Sequence, residues 1–252
     1  MSDIAPAAPR FRLRAVPLLM TGLMMAVMTI GGGIAAALTI RLLHLPSPDQ
    51  SLLTLLYIQH GYQLVFALVG IAVLKFLFVP ADYGLHAPRG KTYVLPAILW
   101  GIGLATAVSA GASWLASAFH LAGGQSFEIT RQNVWGWAVF EGLYVGPTEE
   151  IPFRALLVTY LAATMPGQLR IGRFAMNGAG IAVAVMFALA HIQTFWTDPW
   201  QEALLQQAYA FVWGVLYAYW LEKSKSIVAP VIAHNVGDGI TVVFWALGIF
   251  QS

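Results

Sequence analysis

The chain of 252 residues is apolar for its length: 59% of the residues are hydrophobic, only 10% are charged, and the mean hydropathy is +0.72. A soluble domain carries about a quarter charged residues, so this composition excludes an ordinary soluble protein and predicts an integral membrane protein. The sequence has no cysteine, which excludes disulfides, thiolate nucleophiles and cysteine-ligated metals. The formal net charge of +2 says little about partners, because the placement of the basic residues matters more than their sum.

Seven apolar stretches are long enough to cross a bilayer, which takes roughly 20 residues. The fourth is too long for a simple crossing and contains Gly146, Pro147 and Pro152, so a bend or break there would add an eighth element. We therefore predict an all-α polytopic transmembrane bundle of seven or eight spans. It forms one membrane domain at residues 16–252, after a short basic cytoplasmic N-terminus at residues 1–15. The stretches are residues 16–40, 52–79, 93–119, 134–165, 174–196, 203–221 and 227–250.

The distribution of basic residues predicts the orientation of these spans. With the N-terminus inside, alternate threading places ten Lys and Arg residues inside and two outside, a strong positive-inside bias. A cleaved signal peptide is the alternative interpretation of the first stretch, although an apolar signal region normally has only about 7–15 residues. The inside residues are Arg10, Arg12, Arg14, Lys75, Arg89, Lys91, Arg170, Arg173, Lys223 and Lys225, and the outside residues are Arg41 and Arg131.

Small residues recur at a spacing of four in the fifth stretch, at Gly180, Ala184 and Ala188. Such a stripe lets two helix backbones approach closely within lipid. We interpret it as a packing surface rather than a site.

Ionisable residues inside the spans are the strongest indication of function. Each costs at least about 2.5–3.5 kcal/mol at mid-membrane on insertion scales, so each needs a partner, a cavity or a function. They lie in three different spans, which favours a shared functional cluster over independent structural roles. The residues are Glu149, Glu150 and Arg154 in the fourth span, His191 in the fifth, and His234 and Asp238 in the seventh.

Helical spacing separates the two glutamates of the fourth span. Glu150 and Arg154 are four residues apart, so they share a helix face and can form an ion pair. Glu149 is turned about 100° away and is left for chemistry, for which a general base is the natural role. The alternative is an ion network of all three side chains that only holds helices together.

The histidines admit two interpretations each. A lone His191 on an apolar helix is more often a hydrogen-bonded interior residue than a ligand. His234 and Asp238 are four residues apart and point into the same space, where the aspartate can fix an imidazole tautomer or form a structural hydrogen bond. His60 in the second span is a lesser candidate. The sequence does not predict whether Glu141 faces the same way as Glu149, because Gly146 and Pro147 lie between them.

In the order of these motifs, the sequence resembles the CPBP family of intramembrane proteases. This family includes the type II CAAX prenyl proteases and many bacterial relatives, some of which are associated with bacteriocin maturation or immunity. The segments that carry the resemblance are EEIPFRALL, FALAH and SIVAPVIAHNVGD, within a family-like core at about residues 134–250. Ala155 stands where the family commonly has glycine. Asp238 stands where the prenyl proteases often have asparagine. Because an ionised carboxylate cannot donate a hydrogen bond, Asp238 must orient His234, bind a cation or remain protonated.

The resemblance implies an intramembrane endopeptidase. By it, Glu149 activates water, His191 helps to hold that water, His234 and Asp238 bind the scissile carbonyl or orient its donor, and Glu150 with Arg154 holds the constellation together. The residues permit either metal-free chemistry or a zinc ion bound by Glu149, His191 and His234, although the zinc signature H-E-x-x-H is missing. A non-proteolytic membrane scaffold or bacteriocin immunity-type protein is the alternative.

The resemblance also bears on partners and location. We expect a peptide or protein substrate within or at the membrane, the lipid bilayer itself, and no nucleic acid. The bacterial variety of the family and the absence of eukaryotic targeting signals indicate a bacterial cytoplasmic membrane. A proton-coupled transporter and a rhomboid-type serine protease are less favoured, because no inverted halves are visible and only a near miss to G-x-S-x-G surrounds Ser109.

Overall fold

The computed structural model describes residues 11–46, 51–121, 128–171 and 174–250, and over them the chain is almost entirely helical. A two-stranded antiparallel hairpin, β1 (Gln168–Ile171) and β2 (Phe174–Asn177), lies between the fourth and fifth helices. The prediction that the fifth span begins at residue 174 was therefore wrong by four residues, because β2 precedes the helix. The helices are α1 (Ala15–Leu42), α2 (Leu52–Phe78), α3 (Val94–Phe119), α4 (residues 131–164), α5 (Gly178–Ala190), α6 (Thr194–Thr197), α7 (Trp200–Ser224) and α8 (Val228–Ala246).

Five helical segments in the described part of the chain are long and apolar enough to cross a bilayer: α1, α2, α3, Gly178–Thr197 and α8. This confirms the predicted multi-pass helical bundle. Helix α4 is outside that set because it carries three glutamates and Arg154, and α7 because it is rich in glutamine and has charges at both ends. Seven or eight spans therefore stay a prediction.

Helix α4 continues through both of its prolines, so the predicted break is not observed. Three α-helical segments, Arg131–Val139, Val145–Glu150 and Thr159–Thr164, alternate with two wider π-helical ones, Phe140–Tyr144 and Ile151–Val158. A proline removes one backbone donor from a helix, and a π-helical turn is a common way to absorb such a defect. Hence α4 contributes no eighth element.

Two backbone carbonyls of α4 lose their usual donors because each lies four residues before a proline. The side-chain amide of Gln63, on α2, donates to the Thr148 carbonyl at 3.2 Å. The side-chain amide of Asn235, on α8, donates to the Leu143 carbonyl at 3.4 Å. The two prolines thereby provide docking points for α2 and α8 on the part of α4 that precedes the paired glutamates.

Close contact between α5 and α7 confirms the packing role predicted for the small-residue stripe. A Cβ atom added at Gly214 would lie 2.8 Å from the Cα of Ala184, and one added at Gly180 would lie 2.8 Å from the Cβ of Ala218. Ala188, the third residue of the stripe on α5, is also buried. Backbones this close leave no room for larger side chains.

Helix α7 lies in the interior of the bundle despite its modest hydrophobicity. It contributes to the main apolar core, which it shares chiefly with α2, α4 and α5, and also to a smaller core shared with α3 and α8. Aromatic side chains of α7 thus line the space between α4, α5 and α8. The smaller core consists of Ala97, Trp213, Tyr217, Trp220, Ala229 and Ala233.

Candidate active site

The two neighbouring glutamates of α4 have different environments. The Glu149 side chain keeps 12% of its surface exposed, whereas that of Glu150 has none. One carboxylate oxygen of Glu149, Oε1, accepts a hydrogen bond from Nε2 of His60 at 3.2 Å. This agrees with the predicted division, in which Glu149 is not the partner of the arginine.

The predicted pair of Glu150 and Arg154 forms, at 3.1 Å between Oε2 and Nε. Within the described residues, however, none of the three guanidinium nitrogens has a partner in hydrogen-bonding geometry. The guanidinium instead lies over the rings of Phe187 at 4.2 Å and Tyr217 at 5.0 Å, measured from Cζ to the ring centres. Arg154 is therefore held by its counter-charge and by cation–π contacts, of which these two are the shortest.

The other oxygen of Glu150 has a partner that the sequence did not predict. Oε1 accepts a hydrogen bond from Nδ1 of His234 at 2.8 Å, a short distance typical of a charge-assisted bond. Glu150 thus joins Arg154 of its own helix to His234 of α8. Its role is wider than the purely structural one assigned to it from spacing alone.

The second ring nitrogen of His234 also faces carboxylates. Nε2 lies 3.0 Å from Oδ2 of Asp238 and 3.7 Å from Oε2 of Glu149. Only a doubly protonated imidazole can donate from both nitrogens at once. The Tyr217 ring stacks on the imidazole, with ring centres 5.4 Å apart. Of the three roles considered for Asp238, the arrangement corresponds to the first, a partner that orients His234.

His191 approaches the cluster from α5 without a described hydrogen bond to the other candidates. It lies just beyond the last residue of that helix, and its Nδ1 donates to the Phe187 carbonyl at 2.9 Å. In the neutral ring this leaves Nε2 unprotonated and able to accept a hydrogen bond. His191 interacts electrostatically with Glu149 and His60, so it belongs to the same cluster.

Two further residues belong to the site more firmly than the sequence indicated. His60, a lesser candidate, contacts Glu149 directly. Glu141 interacts electrostatically with Asp238, His234 and Glu149. A signal for His60 was available in α2, where polar side chains at positions 57, 60 and 63 recur every three residues and so share one helix face.

The expected zinc site would require that several donor atoms of the cluster converge on one point. No group of three or more histidine, aspartate and glutamate side chains in the described ranges could hold a metal ion as arranged. The Glu149 carboxylate is engaged by His60, and one nitrogen of His191 is engaged by a backbone carbonyl. No catalytic step is therefore assigned to a metal, and zinc stays a prediction.

Comparison with known proteins places most of this site within one family. Residues 131–240, slightly less than half of the chain, match the model of the family described as type II CAAX prenyl endopeptidase Rce1-like. They include all six site residues predicted from the motifs, whereas His60 lies outside them. Comparison with curated proteins and with solved structures found no match. The family predicted from the motifs is thus confirmed over residues 131–240, which are similar to the Rce1-like family of type II CAAX prenyl endopeptidases.

Proposed function

We propose that the protein is an intramembrane endopeptidase in which Glu149 activates the water that hydrolyses a peptide bond. The substrate is a membrane-associated protein or peptide. One observation carries the proposal: of two adjacent glutamates, Glu150 is fully buried between Arg154 and His234, whereas Glu149 is partly exposed beside the same histidine. The match of residues 131–240 to a protease family supports the same conclusion at the level of reaction type.

The proposed reaction begins with a water molecule beside Glu149. Its proton passes to the carboxylate while its oxygen bonds to the carbonyl carbon, and the carbonyl electron pair moves to oxygen to give a tetrahedral oxyanion. Collapse of this intermediate re-forms the carbonyl and breaks the C–N bond. The proton held by Glu149 then passes to the departing nitrogen, which restores the carboxylate and leaves one new carboxyl and one new amino terminus.

His234 is suited to stabilise the oxyanion in this reaction. Glu150 fixes the ring through Nδ1, so the Nε2 proton has a defined direction before the substrate arrives. In the structure that proton faces Asp238, and a substrate carbonyl would replace the aspartate as acceptor. His191 would accept a hydrogen bond from the attacking water at Nε2, because its Nδ1 already donates to a backbone carbonyl.

The test replaces Glu149 with glutamine, which keeps the size of the side chain and removes its basicity. We expect Glu149→Gln to fold normally and to abolish cleavage, while the control Glu128→Gln, at an exposed position, cleaves like the unchanged protein. The measurement compares the membrane peptidomes of cells that express each variant. Peptides that vanish with Glu149→Gln and persist with Glu128→Gln identify substrates. Unchanged peptide products and an intact cellular phenotype in folded Glu149→Gln would instead support a non-proteolytic scaffold.

A further inference from the structure

His60 is supplied by a helix outside the family-matched segment, yet it contacts the carboxylate at the centre of the proposed chemistry. Its Nε2 lies 3.2 Å from Oε1 of Glu149, and only 11% of its side chain is exposed. We infer that His60 is a positioning residue that fixes the Glu149 carboxylate, so that Oε2 is the oxygen that receives the proton from water. The inference rests on the proposed function.

The two nitrogens of His60 indicate which form of the ring acts. Nδ1 is buried and has no hydrogen-bond partner among the residues that the structure describes. A neutral ring with its proton on Nε2 donates to Glu149 and leaves only an unprotonated nitrogen buried. A charged ring would add an unpaired buried N–H group, whose desolvation is costly. His60 therefore acts on Glu149 as a neutral donor.

The hydrogen bond from His60 distinguishes the two oxygens of the Glu149 carboxylate. Oε1 is occupied by the imidazole N–H. Oε2 lies 3.7 Å from Nε2 of His234, beyond the range of a direct hydrogen bond. Oε2 is thus the oxygen left for water, and it lies on the side of His234, to which the oxyanion is assigned. A carboxylate free to rotate would lose this alignment.

The position of the imidazole is itself fixed by neighbouring contacts. Its ring packs against Phe140 at 5.1 Å between centres. One turn earlier on α2, the Tyr57 hydroxyl donates to the Gly136 carbonyl, and the Tyr57 carbonyl accepts from the Tyr144 hydroxyl. One turn later, the amide of Gln63 donates to the α4 carbonyl at residue 148. Bonds on both sides of His60 therefore hold α2 in register with the glutamate.

The experiment compares three replacements that differ in where they place a donor. Glutamine can place its amide N–H near the position of the imidazole Nε2, whereas asparagine reaches only the position of Nδ1, and leucine has no donor. A synthetic peptide spanning a cleavage site recovered from the peptidome serves as substrate for the purified full-length protein. We expect His60→Leu and His60→Asn to lower kcat by about 10- to 100-fold with KM nearly unchanged, because small misplacements of catalytic groups cost up to about 10²-fold.

Rescue by the conservative variant separates positioning from a structural role. His60→Gln should recover kcat to within about fivefold of the unchanged protein, as expected if the donor at Nε2 is what matters. Gln59→Leu, on the part of α2 that faces α1, is the matched control and should leave kcat unchanged. Melting temperatures are measured for every variant. Should His60→Leu fail to fold, His60→Asn supplies the loss variant.

Two results would overturn the inference. One is a kcat close to that of the unchanged protein in folded His60→Leu or His60→Asn. The other is folded His60→Gln that is as slow as these variants. If Glu149→Gln is inactive while the His60 variants are active, only the role of His60 fails. If Glu149→Gln itself cleaves the peptide, the proposed function fails as well, so the two failures are distinguishable.

Discussion

Arg154 is a large charged side chain that the bundle buries almost completely, with 1% of its surface exposed. Its charge is balanced by Glu150, and its planar group lies over the rings of Phe187 and Tyr217. Breaking a buried ion pair by removing one partner is costly, because the other charge is left without compensation. The same carboxylate also orients His234, so a change at Arg154 acts on the proposed site as well as on stability.

Replacement of Arg154 should therefore destabilise the protein strongly. We expect Arg154→Leu to lower the free energy of unfolding by about 3–5 kcal/mol, the usual cost of an uncompensated buried charge. Arg154→Lys should recover little of this loss, because a compact ammonium lacks the planar, delocalised surface that the guanidinium places over the aromatic rings. The measurement is reversible unfolding in mixed detergent, with Arg170→Leu on the exposed hairpin as the control. Wild-type stability in Arg154→Lys would contradict the stacking argument.

The spacing within single helices predicted part of the site correctly. Residues four apart on one helix must share a face, and both pairs inferred in this way, Glu150 with Arg154 and His234 with Asp238, are in contact. Contacts between helices were less predictable, because a sequence does not fix which faces meet. The bond from His234 to Glu150 and the approach of His60 to Glu149 both depend on packing that spacing alone does not reveal.

The site lies at different distances from the ends of the two helices that build it. Measured from the end of α4 at Thr164 and the start of α8 at Val228, Glu149 lies about 22 Å along α4 and His234 only about 9 Å along α8, at about 1.5 Å per residue. Nevertheless their side chains lie within 3.7 Å of each other. Helix α4 therefore continues farther beyond the site than α8 does, and the β1–β2 hairpin follows the end of α4. Helix ends that are not level cannot be deduced from hydropathy.

The carbonyls released by the prolines give a test at the level of helix docking. We expect Gln63→Leu to lower the free energy of unfolding by about 1–3 kcal/mol, because it leaves the Thr148 carbonyl without its donor. Pro152→Ala restores an N–H group four residues after that carbonyl. In the Pro152→Ala background the same change at Gln63 should therefore cost less than about 1 kcal/mol. A double-mutant cycle of unfolding free energies measures this coupling, and additive effects would show that Gln63 does not compensate for the proline.

Hydropathy predicted the long helices of the whole molecule well, because an apolar stretch of this length has few alternatives in a bilayer. It gave the boundaries of the first three helices to within a few residues. It was less decisive for α4 and α7, whose functional charges and polar side chains weaken the signal of a span. The charged residues of α4 that form the candidate site thus also make it harder to predict whether α4 crosses the membrane.

Labelling with a membrane-impermeant thiol reagent can decide between five and seven crossings, and the natural absence of cysteine makes single introduced cysteines unambiguous. With seven spans and the N-terminus inside, Leu169→Cys on β1 should be inside and Thr197→Cys at the end of α6 should be outside. If α4 and α7 do not cross, both positions exchange sides. Ala87→Cys, between α2 and α3, is inside in either case and serves as the control.

We expect intact cells to label Thr197→Cys, and inverted vesicles to label Leu169→Cys and Ala87→Cys, because the basic residues favour the seven-span orientation. Labelling of Leu169→Cys in intact cells would instead require that α4 enters and leaves the bilayer on one side.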